Sequence, residues 1–349
     1  MRPHGRSTLV VMAVVASMAL PTAAAAQEPP GPLFGLGTNE VGEVLVANAA
    51  VGVVTAAGEV VARLPGVTDV AASDQGWLWA ITGLSEDPAD TTDQKLYKIE
   101  NGAVTEFADL GAYEAKYNPH PAEIDSNPFS VIDLGGGEAV VADAGGNTLL
   151  KVDRHGKVKL IAVLPNELVP TDNAKAIIEE AFGFSCESLP PGVPPDAEEI
   201  CALPSQIPAE PVATSVTIGP DGDFYVGELK GFPAPLDESR IWRIASNARN
   251  ADCSISPLCS VAYDGFTSIV DLSFDGDTLY VAEMSEKSWL AVELVLFAGL
   301  PIDPGVGTID ACTDACHAIA SIPLLSGITV DGDGDLWHTS LFGPTAELP

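Results

Sequence analysis

A short hairpin that keeps returning constrains this chain more than any other feature. Two apolar runs flank a tight Gly- or Asp-rich turn at 74–76, 135–137, 220–222, 275–276 and 331–334. In the PDGD form at 220–223, proline presets φ and glycine accepts a positive φ, so the turn has a mechanism. The cleanest copy lies at 126–165, SNPFSVIDLGGGEAVVADAGGNTLLKVDRHGKVKLIAVLP. It divides into four β-rich runs, at 130–134, 139–142, 149–153 and 158–164, each ended by a turn. A unit of about 40 residues is the size of one four-stranded propeller blade. A β-sandwich would also supply many short strands, but it gives no reason for the same first hairpin to recur. The expected class is therefore all-β, a six-bladed β-propeller.

Taken in order, the first unit spans 33–65 and the second 67–110, the latter interrupted by an acidic loop at 85–94. A linker at 111–125 leads into the third. The longest insertion, 166–210, places Ala174, Ile177, Ile178, Ala181 and Phe182 at helical spacing, with Thr171 or Asp172 positioned to cap. A short helical, disulfide-bearing insertion is expected there. The fourth unit runs from VATSVTI to SVAYDGF. The fifth reads as SIVDLSFDGDTLYVAEMS, then WLAVELVLFAG as a further strand, a long loop and AIASIPLL. The sixth begins GITVDGDGDLWHTSLF and lacks clear third and fourth strands. Completion by N-terminal residues and a blade left short both fit that count.

Arg2, Arg6, the apolar run 9–20 and Ala24-Ala25-Ala26 before Gln27 form a secretory signal peptide over 1–26. That leaves 27–349 as one propeller domain, secreted to the cell exterior or envelope. No later apolar run is long enough to span a bilayer. With 49 acidic against 16 basic residues the chain carries −33. Such a surface repels nucleic acid and anionic lipid, which demand clustered Lys and Arg, and suits divalent cations or cationic partners. All six cysteines lie beyond residue 185, and in an exported chain they read as disulfides. Their clustering favours Cys186–Cys201, Cys253–Cys259 and Cys312–Cys316, each stapling a loop. A thiolate metal site at Cys312, Cys316 and His317 does not suit an oxidising compartment.

In an up-and-down blade with strands a to d, the b–c and d–a loops share one face. The insertions 85–94, 111–125, 166–210 and 230–239 all fall there, so one face is elaborated and the other trimmed. Loops gathered on a rigid scaffold are where binding usually sits. The same face receives Asn48, Asp143, Glu228 and Glu283 from the b-strand ends (VAN, VAD, VGE, VAE), and Ser126, Asn127 and Thr214 from the a-strand starts. Asn127, Asp143, Glu228 and Glu283 are the candidate ligands of a hard cation such as Ca²⁺. A metal-bound water beside such carboxylates would hydrolyse an ester or lactone. The competing reading is that these residues cap strands and bond loop amides without any ligand. DGDGD at 331–335 is not an EF-hand start, because its sixth position is Leu336 and its twelfth Phe342. No nucleophile elbow, zinc-protease helix or P-loop occurs, and no catalytic residue is assigned. His120 and His338 border the region, but a lone histidine is more often structural.

DSNPFSVI and VVADAGGNTLLKVDRHGKV, paired with PVATSVTIGPDGDFYVGELKGFP and the spacer DLGAYEAKYNP, resemble the ScyD/ScyE family of exported proteins. That resemblance implies a β-propeller related in shape to NHL-type repeats and to gluconolactonase-like propellers, without an established reaction. The lactonase-like relatives hold one divalent cation with Glu, Asn and Asp. Asn127, Asp143, Glu228 and Glu283 match in type only. Two functions follow: a module binding a small molecule or protein through the loop-rich face, or a calcium-dependent hydrolase of esters or lactones.

Overall fold

In blades one to five the second strand is a largely apolar run because both of its faces are covered by neighbouring blades. Ala139, Val140, Val141 and Ala142 are all fully buried, whereas outer strands such as Val60–Arg63 alternate toward solvent. A fully buried valine contributes roughly 1.5–3 kcal/mol, so these inner runs carry most of the packing. The computed structural model describes residues 31–85, 87, 89–121 and 124–349. The expected signal peptide lies outside them. Among them no helix is long and apolar enough to cross a membrane.

Blade one comprises β1 (Leu33–Thr38), β2 (Val44–Asn48), β3 (Gly52–Thr55) and β4 (Val60–Arg63). Blade two comprises β5 (Val67–Ala72), β6 (Leu78–Thr82), β7 (Lys95–Glu100) and β8 (Ala103–Asp109), followed by α1 (Leu110–Tyr117). Blade three is β9 (Pro128–Gly135), β10 (Glu138–Asp143), β11 (Thr148–Val152) and β12 (Val158–Val163). The insertion then folds as β13 (Glu167–Pro170), α2 (Asp172–Phe182), α3 (Pro195–Cys201) and β14 (Gln206–Ala209), with β13 and β14 paired at its base. Blade four is β15 (Ala213–Ile218), β16 (Phe224–Glu228), β17 (Ser239–Ile244) and β19 (Cys259–Phe266), with β18 (Ala251–Asp252) between the last two in sequence. Blade five is β20 (Ile269–Asp275), β21 (Thr278–Glu283), then α4 (Ser288–Leu296), β22 (Gly307–Cys312) and β23 (Cys316–Ile322). Blade six is β24 (Leu325–Val330), β25 (Leu336–Ser340) and β26 (Thr345–Glu347).

The six inner strands β1, β5, β9, β15, β20 and β24 neighbour one another in a closed circuit, giving a six-bladed β-propeller. Leu33 N donates to Leu341 O (2.8 Å) where the circuit joins. Blade six has three strands among the described residues. Strand β18 leaves its own blade and pairs in parallel with β12, tying blade four to blade three.

Three local expectations need correction. WLAVELVLFAG is the helix α4 and not a strand, and the expected loop around Cys312 supplies β22 and the start of β23. The Cys312–Cys316 bridge therefore braces a strand hairpin. The linker after blade two contains α1, capped by Asp109, whose carboxylate accepts from Ala112 N (2.7 Å). The insertion helix α2 forms as expected, but the Thr171 hydroxyl donates to Pro204 O (2.6 Å) and does not cap it. All three sequential disulfides are present, with Cα separations of 4.9, 5.2 and 4.0 Å in chain order.

Candidate functional site

Each inner strand has a register shift just after its first residue, at Leu33, Val67, Pro128, Ala213, Ile269 and Leu325. Such bulges sharpen the twist and re-aim the next side chains. The second positions are Phe34, Thr68, Phe129, Thr214, Val270 and Ser326. Phe34 and Phe129 belong to blades one and three, which are not neighbours. Their rings meet edge-on at 5.7 Å, which is achieved only across the central channel. The hydroxyls between them bond outward: Thr68 Oγ1 donates to Pro128 O (3.0 Å) and Thr214 Oγ1 to Ile269 O (2.7 Å).

Above this layer, on the elaborated face, α2 and α4 lie in one apolar cluster with the inner strands. Ala174, Ile177, Trp289 and Val292 pack with Phe34, Phe129, Val270 and Leu325. Polar contacts lock the two helices together. Asn173 Nδ2 donates to Ser288 Oγ (3.0 Å), Lys287 pairs with Glu180 (3.1 Å), and Trp289 Nε1 donates to Lys230 O (2.8 Å). The channel is thus closed at the face where the insertions gather.

The four sequence-predicted ligands stand on that face, Asn127 at the start of an inner strand and Asp143, Glu228 and Glu283 at the ends of second strands, each bonded within its own surroundings. Asp143 is fully buried and takes Asn127 N (2.7 Å), Gly146 N (3.0 Å) and Ser126 Oγ (2.7 Å). Burial pushes its carboxyl up, against those hydrogen bonds. The side chain of Asn127 accepts from Leu84 N (2.9 Å). So Asn127 and Asp143 are brought together in one corner. Glu228 and Glu283 belong to separate blades. Glu283 accepts from Thr267 N and Thr308 Oγ1, and burial first of all raises it to about 7. Glu228 and Lys230, both side chains with 0% exposure, form an ion pair at 2.7 Å. Lys230 also reaches Glu167 (2.9 Å), which Arg240 pairs from outside, and Trp242 Nε1 donates to Glu228. Asn48 caps its own turn through Ala50 N and Val51 N. Among the described residues no group of three or more His, Cys, Asp or Glu side chains is placed to hold a metal ion. His120 and His338 are both pushed toward the neutral form by burial.

Sequence reasoning missed two features. The first is Glu114 on α1, only 1% exposed, with neither carboxylate oxygen hydrogen-bonded. It lies near Asp143 across Gly146. Burial, then the charges of Asp143 and Asp125, raise it to about 7. The second is the layer formed by the third residues of the inner strands: Gly35, Asp69, Ser130, Ser215, Asp271 and Gly327. Asp69 accepts from Val70 N and Val131 N, and Asp271 from Leu272 N and Ile328 N. Each aspartate therefore stitches its own strand to the next blade. Blades two and five are opposite one another, and burial followed by the Asp69 charge drives Asp271 well above the ordinary carboxylate range. Asp69 itself is raised to about 7, chiefly by burial. Gly35 makes room for this pair, since a Cβ there would lie 2.1 Å from Asp69 Oδ1. Gly35→Ala should cost about 1–3 kcal/mol in chemical denaturation, the range for an overpacked core. An unchanged midpoint would show that the aspartate is free to move aside.

No protein-family model matches the chain, and no curated protein matches it. Solved structures share its fold. A gluconolactonase from Xanthomonas campestris aligns over 92% of this chain and 88% of its own, at 9% identity and a TM-score of 0.50. A protein of unknown function from Bacteroides thetaiotaomicron aligns over 92% of this chain and 69% of its own, at 11% identity and a TM-score of 0.50. A streptogramin B lyase aligns over 93% and 96%, at 16% identity and a TM-score of 0.47. At these identities the likeness to the gluconolactonase and to the Bacteroides protein shows the propeller fold alone.

Proposed function

We propose that this protein is a secreted binding module that engages a partner through its loop-rich face, in keeping with its resemblance to the ScyD/ScyE family. The observation that carries this reading is where the large exposed apolar side chains stand. Tyr117, Ile124, Leu168, Phe182, Leu236 and Phe297 project from insertions on the elaborated face, Leu168 at 65% and Ile124 at 62% exposure, while Val41 and Ile255 are exposed singly on connections of the trimmed face. Exposed apolar surface carried on otherwise polar insertions is characteristic of interaction sites. The closed channel beneath them supports surface recognition over chemistry in a pocket. Capture of a partner from the producing culture should be lost in Leu168→Glu/Phe182→Glu and retained in Val41→Glu, on the trimmed face. Equal capture by all three proteins would remove the reading.

The second reading is calcium binding by the carboxylates of this face, with hydrolysis of an ester or lactone. It is favoured by one corner, where Asn127, Asp143 and the unbonded carboxylate of Glu114 meet. Glu228 and Glu283, the other two candidates, would have to leave their present bonds. Calcium titration of chelator-treated protein, with Asp143→Asn as the comparison, tests the metal. A lactone panel with Glu228→Gln tests the chemistry. Heat release and turnover that are both absent would retire the second reading and leave the first untouched.

A further inference from the structure

The helix α1 has two buried residues, Leu110 and Glu114. They stand four apart, on one face of the helix, where an amphipathic helix would turn two apolar side chains to the sheet. The second place is taken by a carboxylate that is 1% exposed, with no hydrogen bond to either oxygen. Glu114 Oε2 and Asp143 Oδ2 both lie 3.3 Å from one point, the place that a Cβ on Gly146 would take. Asp125 stands behind them, its Oδ1 3.0 Å from the corresponding point on Gly145. The charges that act on Glu114, those of Asp143 and Asp125, are both negative. A buried charge is costly unless it is paired or coordinates a metal. Beyond Glu114, Ala115, Lys116 and Tyr117 are exposed, so nothing apolar holds down the last turn of the helix.

We propose that calcium binds between Glu114 and Asp143 and latches the last turn of α1 onto blade three. The proposal rests on the metal half of the second reading and gives that metal a regulatory role, one that needs no reaction. Two carboxylates balance the charge of one divalent ion. Glu114 offers both of its oxygens and Asp143 offers Oδ2. The Ser126 hydroxyl donates to that same oxygen (2.7 Å) and keeps its lone pairs for the ion. Calcium accepts a flexible shell of carboxylate and neutral oxygens, whereas magnesium demands a near-ideal octahedron. Without the ion, like charges share one sealed corner and the turn lifts. Tyr117, 57% exposed on that turn, then leaves its place on the loop-rich face.

Glu114→Gln is the variant that tests this, because Glu114 makes no hydrogen bond and its loss leaves no partner stranded. Calorimetric titration of chelator-treated protein with calcium chloride should show one ion bound per chain. Glu114→Gln should weaken that binding by about tenfold or more, the loss typical of even an outer-shell partner. Glu40→Gln, exposed on the trimmed face, should bind as the parent does. With calcium at about ten times its dissociation constant, amide exchange over residues 115–118 should slow about tenfold in the parent and not in Glu114→Gln. Calcium bound equally by Glu114→Gln, or bound by the parent without slowing this exchange, would overturn the latch and leave the second reading standing on its other carboxylates. No binding to the parent would overturn both. Binding lost in Glu114→Gln, beside a parent that turns over no lactone, would uphold the latch and retire only the hydrolysis.

Discussion

Lys230→Met should lower stability by about 3–5 kcal/mol, because it leaves a buried carboxylate without its counter-charge. Lys230 and Glu228 are both sealed from solvent, and the lysine is the link between Glu228 and the insertion residue Glu167. Its backbone carbonyl also receives Trp289 of α4, so the position joins blade four, the insertion and the covering helix. Burial pulls Glu228 toward its neutral form, and the lysine charge opposes that pull. The informative comparison is the double variant Lys230→Met/Glu228→Gln. Glutamine keeps an acceptor for Trp242 Nε1 and carries no charge, so most of the lost stability should return. Equilibrium denaturation of the four proteins of the cycle gives the coupling directly. If the single variant loses under about 1 kcal/mol, solvent or a neighbouring group already neutralises Glu228 and the sealed pair is not what holds this corner.

The second large effect concerns pH. Asp69 is raised from 3.8 to about 7, and Asp271 is driven up by burial and by Asp69. Between roughly pH 4 and 7 the folded protein holds a proton on this pair that the unfolded chain has released. Stability should therefore rise as pH falls from 8 to 5, by about 2–4 kcal/mol from the pair alone, and level off near the unfolded pKa. Half-buried Glu283, also raised to about 7, adds in the same direction. Asp271→Asn removes one member and relieves its partner. Its baseline stability will shift because one backbone donor loses its acceptor. The quantity to read is thus the slope of unfolding free energy against pH, which should flatten. A slope as steep as that of the parent would mean that this pair does not hold the extra proton of the folded state.

The propeller itself was legible because the repeated hairpin is a local signal: turn chemistry and apolar runs are written in adjacent residues. The second strands of blades one to five were the easiest to read, since burial on both faces leaves them largely apolar. WLAVELVLFAG was misread for the same reason. Trp289, Leu290, Ala291 and Val292 are buried between the helix and the blades, and a helix covered on most sides shows no amphipathic period that would separate it from a strand. GTIDAC was passed over because Asp310 and Cys312 interrupt its apolar pattern, although both are buried. The residues on the elaborated face were found by strand direction alone, but direction does not reveal partners. That Glu228 meets Lys230 is a turn-level event two residues away; that Lys230 also meets Glu167 depends on how the insertion folds back. Asp69 and Asp271 are about two hundred residues apart and meet only because six blades close a circle. The pattern had one available clue, an Asp as third residue of the inner strand in units two and five.

The join between Leu33 and Leu341 has a bearing on how the molecule comes into being. Every other junction between adjacent blades is with a neighbour in sequence, whereas this one must wait for the last blade to leave the ribosome. Contacts of such separation are the slowest to form. Until then the nascent chain is an open stack with the flank of blade one uncovered, and partly folded stacks of this kind are prone to pair with one another. With all of the cysteines beyond residue 185, assembly would proceed from a cysteine-free N-terminal half. Oxidation would then fasten the half that arrives last.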